Sequence, residues 1–258
     1  MPQTFLRDSW THQPDRPADI KFLLEMKAPL RRRAPRIIFI TGTDTGAGKT
    51  LLAGLLLHHL RETGCHALAM KPFCSGGTAD VEFLSAIQDG ELSAKELNPF
   101  YFAEPIAPLV AARKHRGKIQ LSQVLEHIRR IAKRCDCLIV EGSGGLLVPL
   151  GEGFDVSTLI KKLDGEVVVA ARNCLGVINH TLLTIGALRK LGCRRVKVVL
   201  MGSRFSDYST QTNPLILNEL LGGLPVASIG YLGAGIGQAK TLKNSCKNVK
   251  KTLAQILD

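Results

Sequence analysis

A lysine and a threonine close the glycine-rich stretch Gly42–Thr50, in the order that phosphate binding requires. The usual phosphate loop reads G-x-x-x-x-G-K-[ST]: its backbone N–H groups hold phosphates, its lysine reaches the β- and γ-phosphates, and its hydroxyl binds Mg²⁺. Thr43 occupies the first glycine position here, whereas Gly48, Lys49 and Thr50 match the pattern. We therefore predict a triphosphate site, against the alternative of a glycine-rich turn with no chemical role.

Three more side chains could carry charge chemistry beside this loop. Lys71 follows an apolar segment and could neutralise a phosphoryl group or an anionic substrate, although its position suits an ordinary surface lysine equally well. Asp80 begins a predicted helix, where it could cap the helix, face a metal ion, or do both. Glu141 follows another apolar segment, where phosphate-loop enzymes place a metal-associated carboxylate, and its alternative is a solvated loop position.

The elements that must position these residues alternate along the chain. Apolar, β-branched runs predict buried strands, apolar residues at helical spacing predict helices, and Pro72 with Gly76-Gly77 predicts a turn. This alternation requires crossover connections, so we predict an α/β fold with a mainly parallel central sheet in three layers and ligands at the strand ends. The predicted strands are residues 37–40, 67–70, 137–140, 167–170, 196–200 and 225–229, and the predicted helices are residues 51–60, 81–84, 121–133, 179–191 and 247–257.

Composition narrows the class of partner. The chain has 258 residues and a formal net charge of +12, with 45% hydrophobic residues, which is enough for a sizeable core. No apolar run approaches the roughly 18 residues of a membrane span. Basic patches interleaved with stacking aromatics, as single-strand nucleic-acid binders use, are also absent from the sequence. We expect neither a membrane nor a nucleic-acid partner, and we interpret the basic runs as solvated faces.

The first 34 residues differ from the remainder. They contain several prolines and mixed charges without sustained periodicity, so we predict a poorly ordered N-terminal extension followed by a single domain at residues 35–258. We expect no signal peptide, because the first thirty residues lack an uninterrupted apolar core. The seven cysteines, an odd number without a Cys-x-x-Cys pair, favour reduced thiols and a cytoplasmic location.

Several segments together resemble the dethiobiotin synthetase family. The similarity extends from about Ile37 to Gly230, and although a phosphate loop alone is unspecific, this ordered set of motifs is highly specific. The matching segments are Gly42–Thr45 with Gly48–Thr50, Lys71-Pro72 with Ser75, Asn98–Pro105 with Ala107-Pro108, Val140–Gly145, and Gly176–Thr184.

The resemblance implies a P-loop NTPase-like fold and an ATP-dependent ligase of biotin biosynthesis. Members of the family capture CO₂ on 7,8-diaminononanoate as a carbamate, phosphorylate it to a carbamic-phosphoric anhydride, and close the ureido ring with loss of phosphate. By family pattern Lys71 is catalytic and contacts carbamate and γ-phosphate, and Ser75 contacts the diamine. The family is homodimeric, so Asn179 would bind substrate in the partner subunit's site.

The family pattern also implies which residues hold Mg²⁺ and ATP. It places Thr50, Asp80 and Glu141 around the metal ion. It assigns nucleotide binding to these three residues and to Thr45, Gly46, Ala47, Gly48, Lys49, Leu51, Gly142, Ser143, Gly144, Gly202, Ser203, Gly230, Tyr231 and Leu232.

Three alternatives remain open. The family's adenine-contacting asparagine is replaced by Gly202-Ser203, so another nucleoside triphosphate could be the substrate. A partitioning or septum-positioning ATPase would share the phosphate loop, but it needs a second lysine where Asp44 stands. The third alternative is a noncatalytic nucleotide-binding relative, against which the retained polar side chains of the predicted site argue.

Overall fold

Six parallel strands form the central sheet of the structure, a computed structural model that describes residues 34–258. These strands are β1 (Arg36–Gly42), β2 (Ala67–Met70), β5 (Cys137–Gly145), β8 (Glu166–Arg172), β9 (Val196–Met201) and β10 (Val226–Ile229). They lie in the order β10-β9-β8-β1-β5-β2. Two short pairs lie outside this sheet: β3 (Phe73–Ser75) with β4 (Phe100–Phe102), and β6 (Pro149–Gly151) with β7 (Phe154–Asp155).

Helices connect the strands and cover the sheet. The chain moves one way across the sheet from β1 to β2 and the other way from β5 through β8 and β9 to β10, so right-handed crossovers place helices on both faces. This architecture confirms the predicted three-layer α/β fold. The helices of the described region are α1 (Lys49–Glu62), α2 (Ala79–Ile87), α3 (Ala94–Leu97), α4 (Pro108–Lys114), α5 (Leu121–Ala132), α6 (Val156–Leu163), α7 (Val177–Lys190), α8 (Tyr208–Leu220) and α9 (Ala239–Leu257).

The central position of β1 determines where the site lies. Its residues Ile38–Ile40 are at most 1% exposed, as an apolar strand covered on both faces should be. In the sheet register, Ile40 lies opposite Glu141 of β5, and Met70 of β2 lies opposite Val140. The carboxyl ends of three neighbouring strands therefore bring the phosphate loop, Glu141 and the residue after Met70 together.

The domain prediction is only partly within the described residues. Residues Ala34–Asp258 form one compact unit. The poorly ordered extension at residues 1–34 lies almost wholly outside the described range, so this division of the chain stays a prediction. Between residues 34 and 258, no helix combines the length and the apolar character that crossing a membrane requires.

Several predicted boundaries were wrong. Strand β5 continues to Gly145 instead of ending at Val140, because Gly145 pairs with Gly42 of β1, so Glu141 is a strand residue and not a loop residue. The predicted turn after β2 contains strand β3, whose Phe73 ring stacks on Phe100 with centroids 5.0 Å apart. The last helix, α9, begins at residue 239 and not at residue 247.

Close packing of α1 against α2 gives a stability test. A Cβ atom at Gly54 in α1 would lie 2.6 Å from Phe83 Cε1. Overpacking costs about 1–3 kcal/mol, and the better helix propensity of alanine returns only about 1 kcal/mol. An approach of 2.6 Å forces neighbouring atoms to shift, so we take the upper half of that cost and expect Gly54→Ala to lower the free energy of unfolding by about 1–2 kcal/mol in denaturant titrations.

The matched control is Asn248→Ala, at an exposed position of α9. Its free energy of unfolding should stay within about 0.5 kcal/mol of the parent value. If Gly54→Ala is as stable as the parent protein, the contact with Phe83 is not tightly packed.

Candidate active site

The phosphate loop runs from the end of β1 to the start of α1, and two glycines shape it. Gly46 and Gly48 have φ angles of 73° and 90°, in the left-handed region that favours glycine. Gly48 is the N-cap of α1, and no side chain among residues 34–258 caps this helix. The backbone N–H groups of its first turn therefore remain available to a bound anion.

Lys49 is buried at the first position of α1, with only 7% of the residue exposed. Its Nζ donates a hydrogen bond to the backbone oxygen of Asp44 at 2.9 Å. Burial lowers the pKa of Lys49, while the charge of Glu141 partly opposes this shift and the charge of Lys71 adds to it. An anion bound on the loop would give this buried ammonium group a negatively charged partner close by.

Lys71, which directly follows β2, lies between two carboxylates. Its Nζ donates to Glu141 Oε1 at 2.6 Å and to Asp80 Oδ2. Burial lowers the pKa of Lys71, but the charges of Glu141 and Asp80 outweigh burial and hold that pKa above its ordinary value. The backbone oxygen of Lys71 accepts from the buried side chain of Asn98 at 2.7 Å, which fixes this turn. Lys71 is therefore a buried cation, so the surface-lysine alternative is wrong.

Glu141 joins the phosphate loop to Lys71. It is 1% exposed, and its Oε1 also accepts from the Thr50 hydroxyl at 2.7 Å. Its Oε2 has no hydrogen-bond partner among the described residues. A buried carboxylate oxygen without a donor suits a cation, and the solvated-loop alternative is wrong because the side chain is buried.

A cavity of about 660 Å³ opens beside these groups. The phosphate loop, Lys71, Asp80 and Glu141 line one part of it, and Ser75 lines another, with a buried Oγ that has no partner within residues 34–258. Residues 105–108 also line the cavity, and Pro105 packs so closely on Gly76 that a Cβ atom at position 76 would lie 2.7 Å from the Cβ of Pro105. The cavity thus places an unpaired hydroxyl and a cation along one continuous space.

A second cavity of about 260 Å³ adjoins the other side of the phosphate loop. It lies at the ends of β8, β9 and β10, and we call it the base pocket because it is lined by Gly202, Ser203, Tyr231 and Leu232, which the sequence analysis predicts to bind the nucleotide. Gly202 has no room for a side chain, since a Cβ would lie 2.6 Å from the backbone nitrogen of Tyr231. The residues that line the pocket are Gly46, Ala47, Gly48, Leu51, Arg172, Met201, Gly202, Ser203, Arg204, Tyr231, Leu232 and Ile236.

Three predicted site residues line neither cavity. Gly142 packs on β1, where a Cβ would lie 2.9 Å from Phe39 Cε1. Gly230 borders a separate cavity beside α8. Asn179 is exposed on α7, in a groove with Leu182, Leu183, Gly186, Ala187 and Lys190.

Sequence reasoning missed several lining residues. Arg172 ends β8 and faces the base pocket, and the rule that ligands bind at strand ends could have found it. Cys74 and Val148 line the larger cavity, and Arg204 and Ile236 line the base pocket. Among residues 34–258, no group of three or more His, Cys, Asp or Glu side chains is arranged to hold a metal ion.

Comparison with known proteins identifies the family. A family model described as an AAA domain matches residues 36–229. The ATP-dependent dethiobiotin synthetase of Bacillus licheniformis is 40% identical over 190 residues, covering 71% of this chain and 81% of that protein. The Bacillus subtilis strain 168 enzyme of the same name is 36% identical over 200 residues, which cover 75% of this chain and 86% of that protein. The chain belongs to the dethiobiotin synthetase family.

Solved structures show that this family member shares its fold with MinD cell division proteins. The Aquifex aeolicus cell division protein MinD superposes with a TM-score of 0.56 at 13% identity, covering 86% of this chain and 97% of that chain. The septum site-determining protein MinD from Pyrococcus horikoshii, complexed with Mg-ADP, gives a TM-score of 0.55 at 15% identity. The match covers 87% of this chain and 96% of that chain. At these identities the likeness concerns the fold alone.

The buried pair of Lys71 and Glu141 gives a prediction without any ligand. Lys71→Met should lower the free energy of unfolding by about 3–5 kcal/mol, because it leaves the carboxylate of Glu141 buried without its cation. The double variant Lys71→Met/Glu141→Gln, which removes both charges, should recover most of this loss. Denaturant titrations of the two variants and the parent measure the effect, and a double variant no more stable than Lys71→Met would contradict it.

Proposed function

We propose that this chain is an ATP-dependent dethiobiotin synthetase that carboxylates 7,8-diaminononanoate with CO₂ and closes the ureido ring. The observation that carries the proposal is the position of Lys71, a buried cation between Glu141 and Asp80 that faces both the phosphate loop and the cavity at Ser75. The relatives named as dethiobiotin synthetases, which are 36–41% identical, support the choice of substrates.

The proposed reaction uses positive charge in a site of limited water access. One amine of the substrate attacks CO₂ and loses a proton to form a carbamate, whose oxygen attacks the γ-phosphorus and displaces ADP. The second amine then attacks the carbonyl carbon, loses a proton and expels phosphate. Lys71 stays protonated and stabilises the negative oxygens of the carbamate and of the phosphoryl group, while Lys49 and the loop amides hold the phosphates.

The oxygen atoms around Glu141 suit Mg²⁺, which prefers oxygen ligands. Thr50 Oγ1 lies 2.7 Å from Glu141 Oε1, and Glu141 Oε2 has no partner within residues 34–258. The carboxylate of Asp80 lies near Glu141 because both carboxylates accept hydrogen bonds from Lys71 Nζ. Thr50, Asp80 and Glu141 would hold the ion. When bound, Mg²⁺ supplies neutralisation of the β- and γ-phosphate charges.

The rival functions have less support. A partitioning ATPase is favoured only by fold likeness at 11–15% identity, and Asp44 stands where that class needs a lysine. A noncatalytic role is opposed by the charged contacts that join Thr50, Lys71, Asp80 and Glu141.

We place the enzyme in the cytoplasm. The seven cysteines are all free thiols in the structure, which is consistent with a reducing compartment.

The activity is tested with purified protein, diaminononanoate, bicarbonate, Mg²⁺ and ATP, CTP or GTP in parallel, with dethiobiotin measured by mass spectrometry. Lys71→Ala should lower kcat by at least about 10²-fold, because it removes a preorganised cation, while nucleotide binding is largely retained. The control is Lys251→Ala, on an exposed position of α9, which should keep parental turnover. Absence of product with every triphosphate would falsify the proposed function.

We further propose a homodimer formed through α7. Leu175 and Leu183 are 83% and 66% exposed on and just before this helix, beside the groove that contains Asn179. A contiguous exposed apolar patch is typical of a surface that a partner covers, and Leu182, Leu183 and Ala187 line this one groove together. In this arrangement Asn179 of one subunit completes the diamine site of the other.

Mixing two inactive variants tests this arrangement. Lys71→Ala and Asn179→Ala each damage every site in their own homodimers, but a mixed dimer holds one site with both residues intact. A 1:1 mixture, exchanged to equilibrium, should recover about a quarter of the parental turnover, because half of the dimers are mixed and each has one good site. If the mixture stays as inactive as its components while size-exclusion chromatography shows dimers, Asn179 does not act across the interface.

A further inference from the structure

Helix α8 contains a proline that removes one of the helix's own hydrogen bonds. Pro214 lies inside α8 and has no N–H, so the backbone oxygen of Thr210, four residues earlier, loses its helical donor. A side chain from another part of the fold replaces that donor. Asn173, one residue after β8, donates from Nδ2 to Thr210 O at 2.8 Å.

A second asparagine orients the first. Asn213 Nδ2 donates to Asn173 Oδ1 at 2.8 Å and to the backbone oxygen of Cys174 at 3.2 Å. Asn173 and Asn213 are 9% and 3% exposed, so neither amide can exchange these partners freely for water. The two side chains therefore hold one defined orientation between the end of β8 and the first turns of α8.

This asparagine pair is connected to both sides of the base pocket. On one side, Asn173 directly follows Arg172, which lines the pocket, and its backbone N–H donates to Met201 O at 2.9 Å. On the other side, Thr210 Oγ1 donates to Asp207 O at 2.7 Å and lies 2.8 Å from Ser206 Oγ. Residues 203–207 form the loop that supplies Ser203 and Arg204 to the pocket.

We propose that Asn173 and Asn213 are positioning residues for the nucleoside part of the triphosphate. By replacing the hydrogen bond that Pro214 removes, they tie the loop at residues 203–207 to β8 and fix the width of the base pocket. Neither residue lines the base pocket or the phosphate cavity, and Asn173 lines the separate cavity beside α8 together with Ser203. Their effect on the base pocket therefore passes through Arg172, Ser203 and Arg204. The inference deepens the proposed function by assigning control of nucleotide affinity, and it rests on that function only in taking the ligand to be a nucleoside triphosphate.

The first test is Asn173→Ala, with binding measured by titration calorimetry. The Kd for a nonhydrolysable ATP analogue with Mg²⁺ should rise about tenfold, which corresponds to 1.4 kcal/mol. The Kd for inorganic tripolyphosphate, which reaches the phosphate loop but has no base, should change less than about twofold, because the loop itself is unaltered. Equal weakening of both ligands would overturn the proposal, since general damage to the fold does not distinguish them.

The second test is rescue by Pro214→Ala. This change restores a backbone N–H that can donate to Thr210 O, so Asn173→Ala/Pro214→Ala should regain a Kd for the ATP analogue within about twofold of the parent value. The matched control is Asn213→Ala, whose bonds to Asn173 and Cys174 cannot be replaced by position 214. Pro214→Ala should therefore leave the affinity loss of Asn213→Ala in place.

Each outcome has a defined meaning. Failure of Pro214→Ala to rescue Asn173→Ala, or equal rescue of both asparagine variants, overturns the proposal. If Asn173→Ala does not fold, the double variant decides, because a folded double variant with parental affinity supports the proposal and a weakly binding one overturns it. Binding is measured without turnover, so a protein that binds as expected but makes no dethiobiotin contradicts the proposed function and leaves the positioning role standing.

Discussion

The buried carboxylate of Glu141 is the constraint around which the site is arranged. A carboxylate that is 1% exposed is stable only when cations or donors surround it, and β5 lies between β1 and β2, so its partners come from both neighbours. Thr50, reached through β1 and the phosphate loop, donates from one direction, and Lys71, at the end of β2, donates from the other. One buried charge thus joins the phosphate loop to the buried cation of Lys71.

The two carboxylates of Glu141 and Asp80 explain why Lys71 keeps its charge in a buried position. Burial alone would favour the neutral amine, which could not stabilise a carbamate or a phosphoryl oxygen. Two carboxylates reverse that preference, and Asp80 is about half exposed, so it can reorient when a substrate or Mg²⁺ enters. Glu141 is fixed within a strand, whereas Asp80 lies in the first turn of α2. Lys71 therefore has one rigid partner, Glu141, and one adjustable partner, Asp80.

The sequence predicted the parts of the site that depend on local patterns. A buried strand, a glycine-rich loop and a largely apolar helix follow one another at β1 and α1, so Lys49 and Thr50 could be placed without a structure. Residues that depend on pairing between distant segments could not be placed in this way. The extension of β5 through Glu141 comes from its register with β1, which overrides the poor strand propensity of the glycines that follow.

The most instructive failures concern the base pocket, where non-local contacts replace local rules. Pro214 weakens any prediction of helix across residues 208–220, yet α8 continues through it, and the amide of Asn173 donates to the backbone oxygen that Pro214 leaves without a helical donor. The replacement of the family's asparagine by Gly202-Ser203 left the identity of the nucleoside triphosphate open, and the structure adds that the approach of Tyr231 leaves no space for a side chain at position 202. At position 202 the wall of the base pocket is therefore backbone, whose position depends on how the surrounding loops are held. The proposed role of Asn173 and Asn213 follows the same logic, because both hold these loops without lining the base pocket.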